Sequence, residues 1–196
     1  MRNLCEQLQQ CFRGRVCLMG LGNVDYGDDA WGVRLAEALV AKSEFRNPKF
    51  EDRNISAGNA DSNFGLRASF GFRDSSFGFQ DVIITGTTPE RHLTRLAEGG
   101  FDNVVFLDAV EFGGAPGSVV FLNAGEMAAR FPQISTHKIS LGVLAKWVEA
   151  NGTTKAWLLG VQPESLKPGG ELTPQVQATL DVLQELLTDI SVEVFA

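Results

Sequence analysis

Two adjacent carboxylates, Asp28 and Asp29, a third at Asp108 and an imidazole at His137 are the groups in this chain best suited to chemistry. Asp28 and Asp29 close a glycine-rich turn, Gly-Leu-Gly-Asn-Val-Asp-Tyr-Gly-Asp-Asp-Ala-Trp-Gly at residues 20–32, directly after the apolar run from Val16 to Met19. Asp108 ends a second apolar run, Val104, Val105, Phe106 and Leu107. His137 follows Ser135 and Thr136, either of which can cap a helix running to about Ala150. Open α/β sheets hold their ligands at the C-terminal ends of the strands, where these carboxylates fall. If the strand ends and the helix start converge, two oxygens and one nitrogen with open positions suit a borderline cation such as zinc or nickel. Calcium would demand more oxygen ligands and would not choose imidazole.

Each of these side chains also has a structural use. Asp28 or Asp29 can cap the helix that follows or complement its dipole. Asp108 can accept backbone hydrogen bonds in its own turn, and His137 can bond a local carbonyl. The other histidine, His92, lies in a polar stretch from Glu90 to Arg95. A dinucleotide site is excluded, because Asp25 stands where the third glycine of the fingerprint belongs. No phosphate-binding Gly-Lys-Ser/Thr loop, Gly-x-Ser-x-Gly elbow or His-Glu-x-x-His helix is present. Cys5, Cys11 and Cys17 have no metal spacing and no basic neighbour to activate them, which predicts reduced, mostly buried thiols and a cytoplasmic protein.

The elements that must position these groups alternate between strand and helix. An amphipathic helix is expected at the N-terminus (Leu4, Cys5, Leu8, Cys11, Phe12), then a strand from Val16 and a helix with Val33, Leu35, Ala36, Leu39 and Val40 inward. A short second strand is expected around Phe50. Val82 to Thr85 reads as a strand, with Thr88 and Pro89 opening a helix behind it. Val104 to Asp108 is a buried strand, Ser118 to Leu122 an antiparallel one, and Ala156 to Val161 another buried one. The helix before this last strand carries Ile139, Leu141, Leu144, Trp147 and Val148 on its apolar side. Thr173 and Pro174 open a final helix with Val176, Leu180, Leu183 and Leu187 inward. The pattern predicts one α/β domain over residues 1–196, with a mostly parallel sheet of about five strands and helices on both faces. It is interrupted at about residues 58–81 by near-copies of Ser-Phe-Gly-Phe (Ser69 and Ser76), too short for a solenoid unit and expected as an inserted surface loop or irregular hairpin. A partner-binding flap is the alternative, because clustered exposed Phe would form an apolar patch.

A net charge of −7 argues against a nucleic-acid partner, whose phosphates require clustered Lys and Arg. No apolar run is long enough to span a membrane, and a monomer is the expected state.

Four segments taken together resemble the hydrogenase maturation proteases, endopeptidases that trim the C-terminus of the nickel–iron hydrogenase large subunit. They are the turn at residues 20–32, Phe-Leu-Asp-Ala-Val-Glu-Phe-Gly-Gly-Ala-Pro-Gly at 106–117, Ser-Thr-His at 135–137 with Leu141, and Gly-Val-Gln-Pro-Glu-Ser at 160–165 continuing to Leu-Thr-Pro at 172–174. The resemblance implies a phosphorylase/hydrolase-like fold and an aspartic-type or metal-dependent endopeptidase. It carries the metal-binding and catalytic roles onto Asp29, Asp108 and His137. The partner it implies is a large-subunit precursor whose nickel is already installed, with zinc or cadmium able to substitute for nickel. The same ligands would serve a non-catalytic checkpoint protein that binds nickel or the precursor. A peptidyl-tRNA hydrolase-like reading of Gly20-Leu-Gly-Asn23 lacks both the histidine and the basic surface it needs.

Overall fold

Five strands form one sheet in the order β2-β1-β3-β5-β4 in the computed structural model, which describes residues 3–46, 81–130, 140–150 and 152–194. The strands are β1 (Val16–Leu21), β2 (Asp81–Gly86), β3 (Asn103–Ala109), β4 (Val119–Asn123) and β5 (Lys155–Val161). β1 pairs in parallel with β2 and β3, and β3 in parallel with β5. β4 runs antiparallel to β5, as its short return through a glycine-rich turn requires. The strand expected around Phe50 and the Phe-Gly insert lie outside the described residues, except for Asp81, the first residue of β2.

β1, β3 and β5 read as continuous apolar runs because both faces of the sheet are covered. Alternate residues enter two separate cores. Leu18, Val105, Leu107, Leu159 and Val161 pack against α1 (Leu4–Cys11), α2 (Trp31–Arg46) and α6 (Pro174–Val194). Met19, Leu21, Phe106 and Leu158 pack against α3 (Leu93–Glu98), α4 (Ala124–Arg130) and α5 (Leu141–Glu149). Val176, Leu180, Leu183 and Leu187 of α6 are all buried, as their spacing predicts. Asn3 caps α1 by accepting from the Cys5 N–H.

Local expectations were overturned at three places. α5 begins at Leu141, and its cap is Ser140, whose hydroxyl accepts from the Val143 N–H at 3.4 Å; Ser135, Thr136 and Ile139 lie outside the described residues. Trp147 is 49% exposed rather than inward, because it sits about 100° around the helix from Val148. Pro89 opens a 3-10 turn (Pro89–His92) before α3, and Thr88 makes no side-chain cap; its hydroxyl donates back to the Thr85 carbonyl. One helix went unforeseen. α4 is started by a reciprocal box in which Asn123 Oδ1 accepts from the Glu126 N–H and Glu126 Oε2 accepts from the Asn123 N–H.

Candidate active site

The strand order reverses direction between β1 and β3, since β2 lies outside β1 and β5 outside β3. At such a switch point the loops leaving adjacent strands diverge to opposite faces and open a crevice at their C-terminal ends. The Asp28-Asp29 turn leaves β1, and Asp108 is the next-to-last residue of β3.

After β1 the chain turns through Gly22, whose φ of +120° is open to glycine. A Cβ there would overlap the Asp29 carbonyl oxygen, so the outgoing turn lies flat against the returning one. A 3-10 turn (Gly27–Ala30) then carries Asp28 and Asp29 straight into α2. Gly32 allows the start of α2 to rest on the sheet. A Cβ at this position would overlap the Leu107 carbonyl and come within 2.6 Å of the Leu21 carbonyl. The helix N-terminus therefore stands over the ends of β1 and β3. Asp29, just before it, and Asp108, directly after Leu107, share one rim of the sheet. Asp108 alternates onto the same face as Phe106, the face that α5 covers.

The two neighbouring aspartates have different partners. Asp28 is fully buried, and its carboxylate is saturated from the segment after β5. Oδ2 accepts from the N–H groups of Glu164 (2.8 Å) and Ser165 (3.0 Å). Oδ1 accepts from the N–H (2.7 Å) and hydroxyl (3.0 Å) of Thr173. Asp29 Oδ2 accepts from the Asn23 N–H at 2.8 Å, within its own turn. Asp28 thus fastens loops together, and Asp29 is bonded to the Asn23 N–H of its own turn at the end of β1. Both Asp29 and Asp108 are buried, at 4% and 2% exposure.

His137 lies outside the described residues. Among the described residues no set of three His, Cys, Asp or Glu side chains gathers as a metal site. His92 stands on the 3-10 turn beyond β2; burial pushes its imidazole below the ordinary histidine range, helped by Arg95 and Arg91. Burial raises the Cys11 thiol to about 12 and raises Cys17 as well, so neither is a thiolate near neutrality. The glycines at 22, 27 and 32 serve close backbone packing: a Cβ on Gly27 would sit 2.8 Å from the Ser165 carbonyl.

Two residues of the 160–165 and 172–174 motif support the site in ways their motif does not state. Thr173 holds Asp28, as described, and Gln162 organises the turn after β3. Its Oε1 accepts from the N–H groups of Phe112 (2.9 Å) and Gly114 (3.1 Å). A buried glutamine at the end of an apolar strand is the clue that was available, since a buried amide must find partners.

The model of the family described as hydrogenase maturation protease matches residues 70–190. That stretch contains Asp108 and His137 and begins after the Asp28-Asp29 turn. The chain is 29% identical over 178 residues to the hydrogenase 2 maturation protease of Escherichia coli (strain K12), covering 88% of each protein. Its fold is similar to the NiFe hydrogenase maturation protease HycI of Thermococcus kodakarensis KOD1, with a TM-score of 0.67, 24% identity and coverage of 94% and 97%. It is also similar to the hydrogenase maturating endopeptidase HybD of E. coli, with a TM-score of 0.63, 27% identity and coverage of 91% and 93%. The chain belongs to the hydrogenase maturation protease family.

Proposed function

We propose that this protein removes the C-terminal extension of a nickel–iron hydrogenase large-subunit precursor once nickel has been inserted, and that Asp29, Asp108 and His137 are the groups that engage the substrate. The observation that supports this reading is that the Asp29 turn follows β1 and Asp108 ends β3, the two strands that flank the switch point, in a member of a protease family. Two buried carboxylates are costly unless they meet a cation or strong donors. Their oxygens, joined by one imidazole, match the donor set that a borderline divalent metal accepts.

The nickel in this reading belongs to the substrate. A divalent metal held there supplies Lewis-acid polarisation and a lowered pKa for bound water. The chain's own part is to fix the acceptors. The Asn23 N–H holds Asp29 by one oxygen, and the packing of Gly32 on the Leu107 and Leu21 carbonyls seats the start of α2 on the sheet. A checkpoint protein without turnover would use the same groups, so product formation is the deciding measurement.

Purified protein is incubated with nickel-loaded precursor and, separately, with nickel-free precursor. The nickel-loaded form alone is expected to shorten. Asp29→Asn, Asp108→Asn and His137→Ala should each slow cleavage by on the order of a hundredfold or more. Undiminished cleavage in these variants would refute the site, and association without any shortened product would favour the checkpoint role.

A further inference from the structure

Residues 162–173, the segment after β5, hold none of the groups assigned to the chemistry, yet they bond both to the Asp28-Asp29 turn and to the turn that follows Asp108 out of β3. On the Asp29 side, the Asp28 carboxylate is filled by Glu164, Ser165 and Thr173. The backbone reinforces this grip. The Asp28 N–H donates to the Ser165 carbonyl at 3.0 Å and the Gly169 N–H to the Asp25 carbonyl at 2.8 Å. Tyr26 and Gly169 also form a β-bridge. On the Asp108 side, Gln162 accepts from Phe112 and Gly114 through its side chain. Its backbone N–H donates to the Ser118 carbonyl at 2.8 Å, and its carbonyl accepts from Gly117 at 2.9 Å.

From this double attachment we propose that Asp28 and Gln162 are positioning residues: through residues 162–173 they hold Asp29 and Asp108 at a fixed separation across the switch-point crevice. The inference rests on the reading that these two carboxylates engage the substrate. The physical case is one of rigidity. Asp29 lies on the 3-10 turn before α2 and Asp108 is the next-to-last residue of β3, with the turn held by Gln162 just beyond it. Such connecting segments are the least constrained parts of an α/β sheet. A buried carboxylate that accepts only from N–H and O–H groups cannot be replaced by an amide without turning a donor toward a donor. Asp28 is therefore specified chemically as well as sterically. Gln162 similarly supplies the acceptor for two turn amides that no strand pairing reaches. Unlike Asp29, neither residue needs to touch substrate to matter.

The test uses the full-length protein at a temperature where circular dichroism shows every variant folded. Asp28→Asn, Gln162→Met and the milder Thr173→Val are compared with wild type and with Val148→Ala, a core change on α5. Asp28→Asn and Gln162→Met should lower kcat for nickel-loaded precursor by on the order of tenfold to a hundredfold, with KM within about twofold. Thr173→Val should fall between them and wild type. Val148→Ala should lower the melting temperature and leave kcat within about twofold. Amide hydrogen exchange supplies a readout independent of turnover, because the Asn23 N–H reports the Asp29 carboxylate it bonds. Its protection should drop in Asp28→Asn and persist in Val148→Ala. Wild-type kcat in both positioning variants, or unchanged Asn23 protection in Asp28→Asn, would overturn the proposal. If Asp29→Asn itself cleaved normally, the functional reading would fail, while the exchange data would still decide whether Asp28 holds Asp29.

Discussion

The backbone of α2 at Gly32 lies directly on the carbonyl of Leu107, in the gap between β1 and β3. This contact sets the height of the helix start above the sheet. Both obstructing atoms, the carbonyls of Leu107 and Leu21, belong to central strands and cannot rotate aside. Gly32→Ala is accordingly expected to cost about 1–3 kcal/mol through overpacking. For a chain of this size that corresponds to a fall in melting temperature of roughly 2–10 °C. Thermal melts of the variant check this, and an unchanged midpoint would show that α2 can lift off the strands.

His92 predicts a pH dependence of stability. Its folded pKa is lowered, first by burial and then by Arg95 and Arg91, so the unfolded chain takes up the proton first. Stability from this group is complete above the unfolded value of about 6.5 and declines as the pH falls through it toward the folded value. His92→Gln should flatten the melting-temperature profile between about pH 7 and pH 5. Parallel profiles for variant and wild type would exclude His92 as the source.

The cysteines should differ in reactivity. With the Cys11 thiol raised to about 12 and Cys17 raised by burial and by Asp81, the thiolate needed for alkylation is scarce at neutral pH. Native protein treated with iodoacetamide should be labelled at half-buried Cys5 first. Mass spectrometry locates the adduct, and rapid native labelling of Cys11 or Cys17 would contradict their burial.

Trp147 faces outward on α5, so Trp147→Gln should change stability by no more than about 0.5 kcal/mol. Leu144→Ala, one turn away and buried, should cost about 2–5 kcal/mol. Urea denaturation distinguishes the two faces of the helix, and a large loss for Trp147→Gln would place the ring in a contact that its exposure does not show.

Most of the fold could be read from the order of residues, because periodicity reports burial directly. The unbroken apolar runs of β1, β3 and β5 require helices on both faces, and the three- and four-residue spacing of α6 requires one buried stripe. Reading failed where a short element depends on one local bond. α4 rests on the Asn123–Glu126 capping box, which no apolar periodicity announces, and Ser140 rather than Ser135 or Thr136 caps α5. Trp147 is apolar, yet its angle on the helix turns it outward.

The candidate site divides in the same way. The sequence by itself determined that carboxylates follow two apolar strands, that Asp25 breaks the dinucleotide fingerprint, and that the four motifs resemble one protease family. Asp28 and Asp29 remained interchangeable on residue type, since both are carboxylates in the same turn. Tertiary structure distinguished their environments: donors from residues 164–173, distant in sequence, fill Asp28, whereas Asp29 is held within its own turn. Only the assembled sheet makes β1 and β3 neighbours with diverging loops. Which strands lie side by side is decided by contacts between residues far apart in the chain, which local spacing does not record.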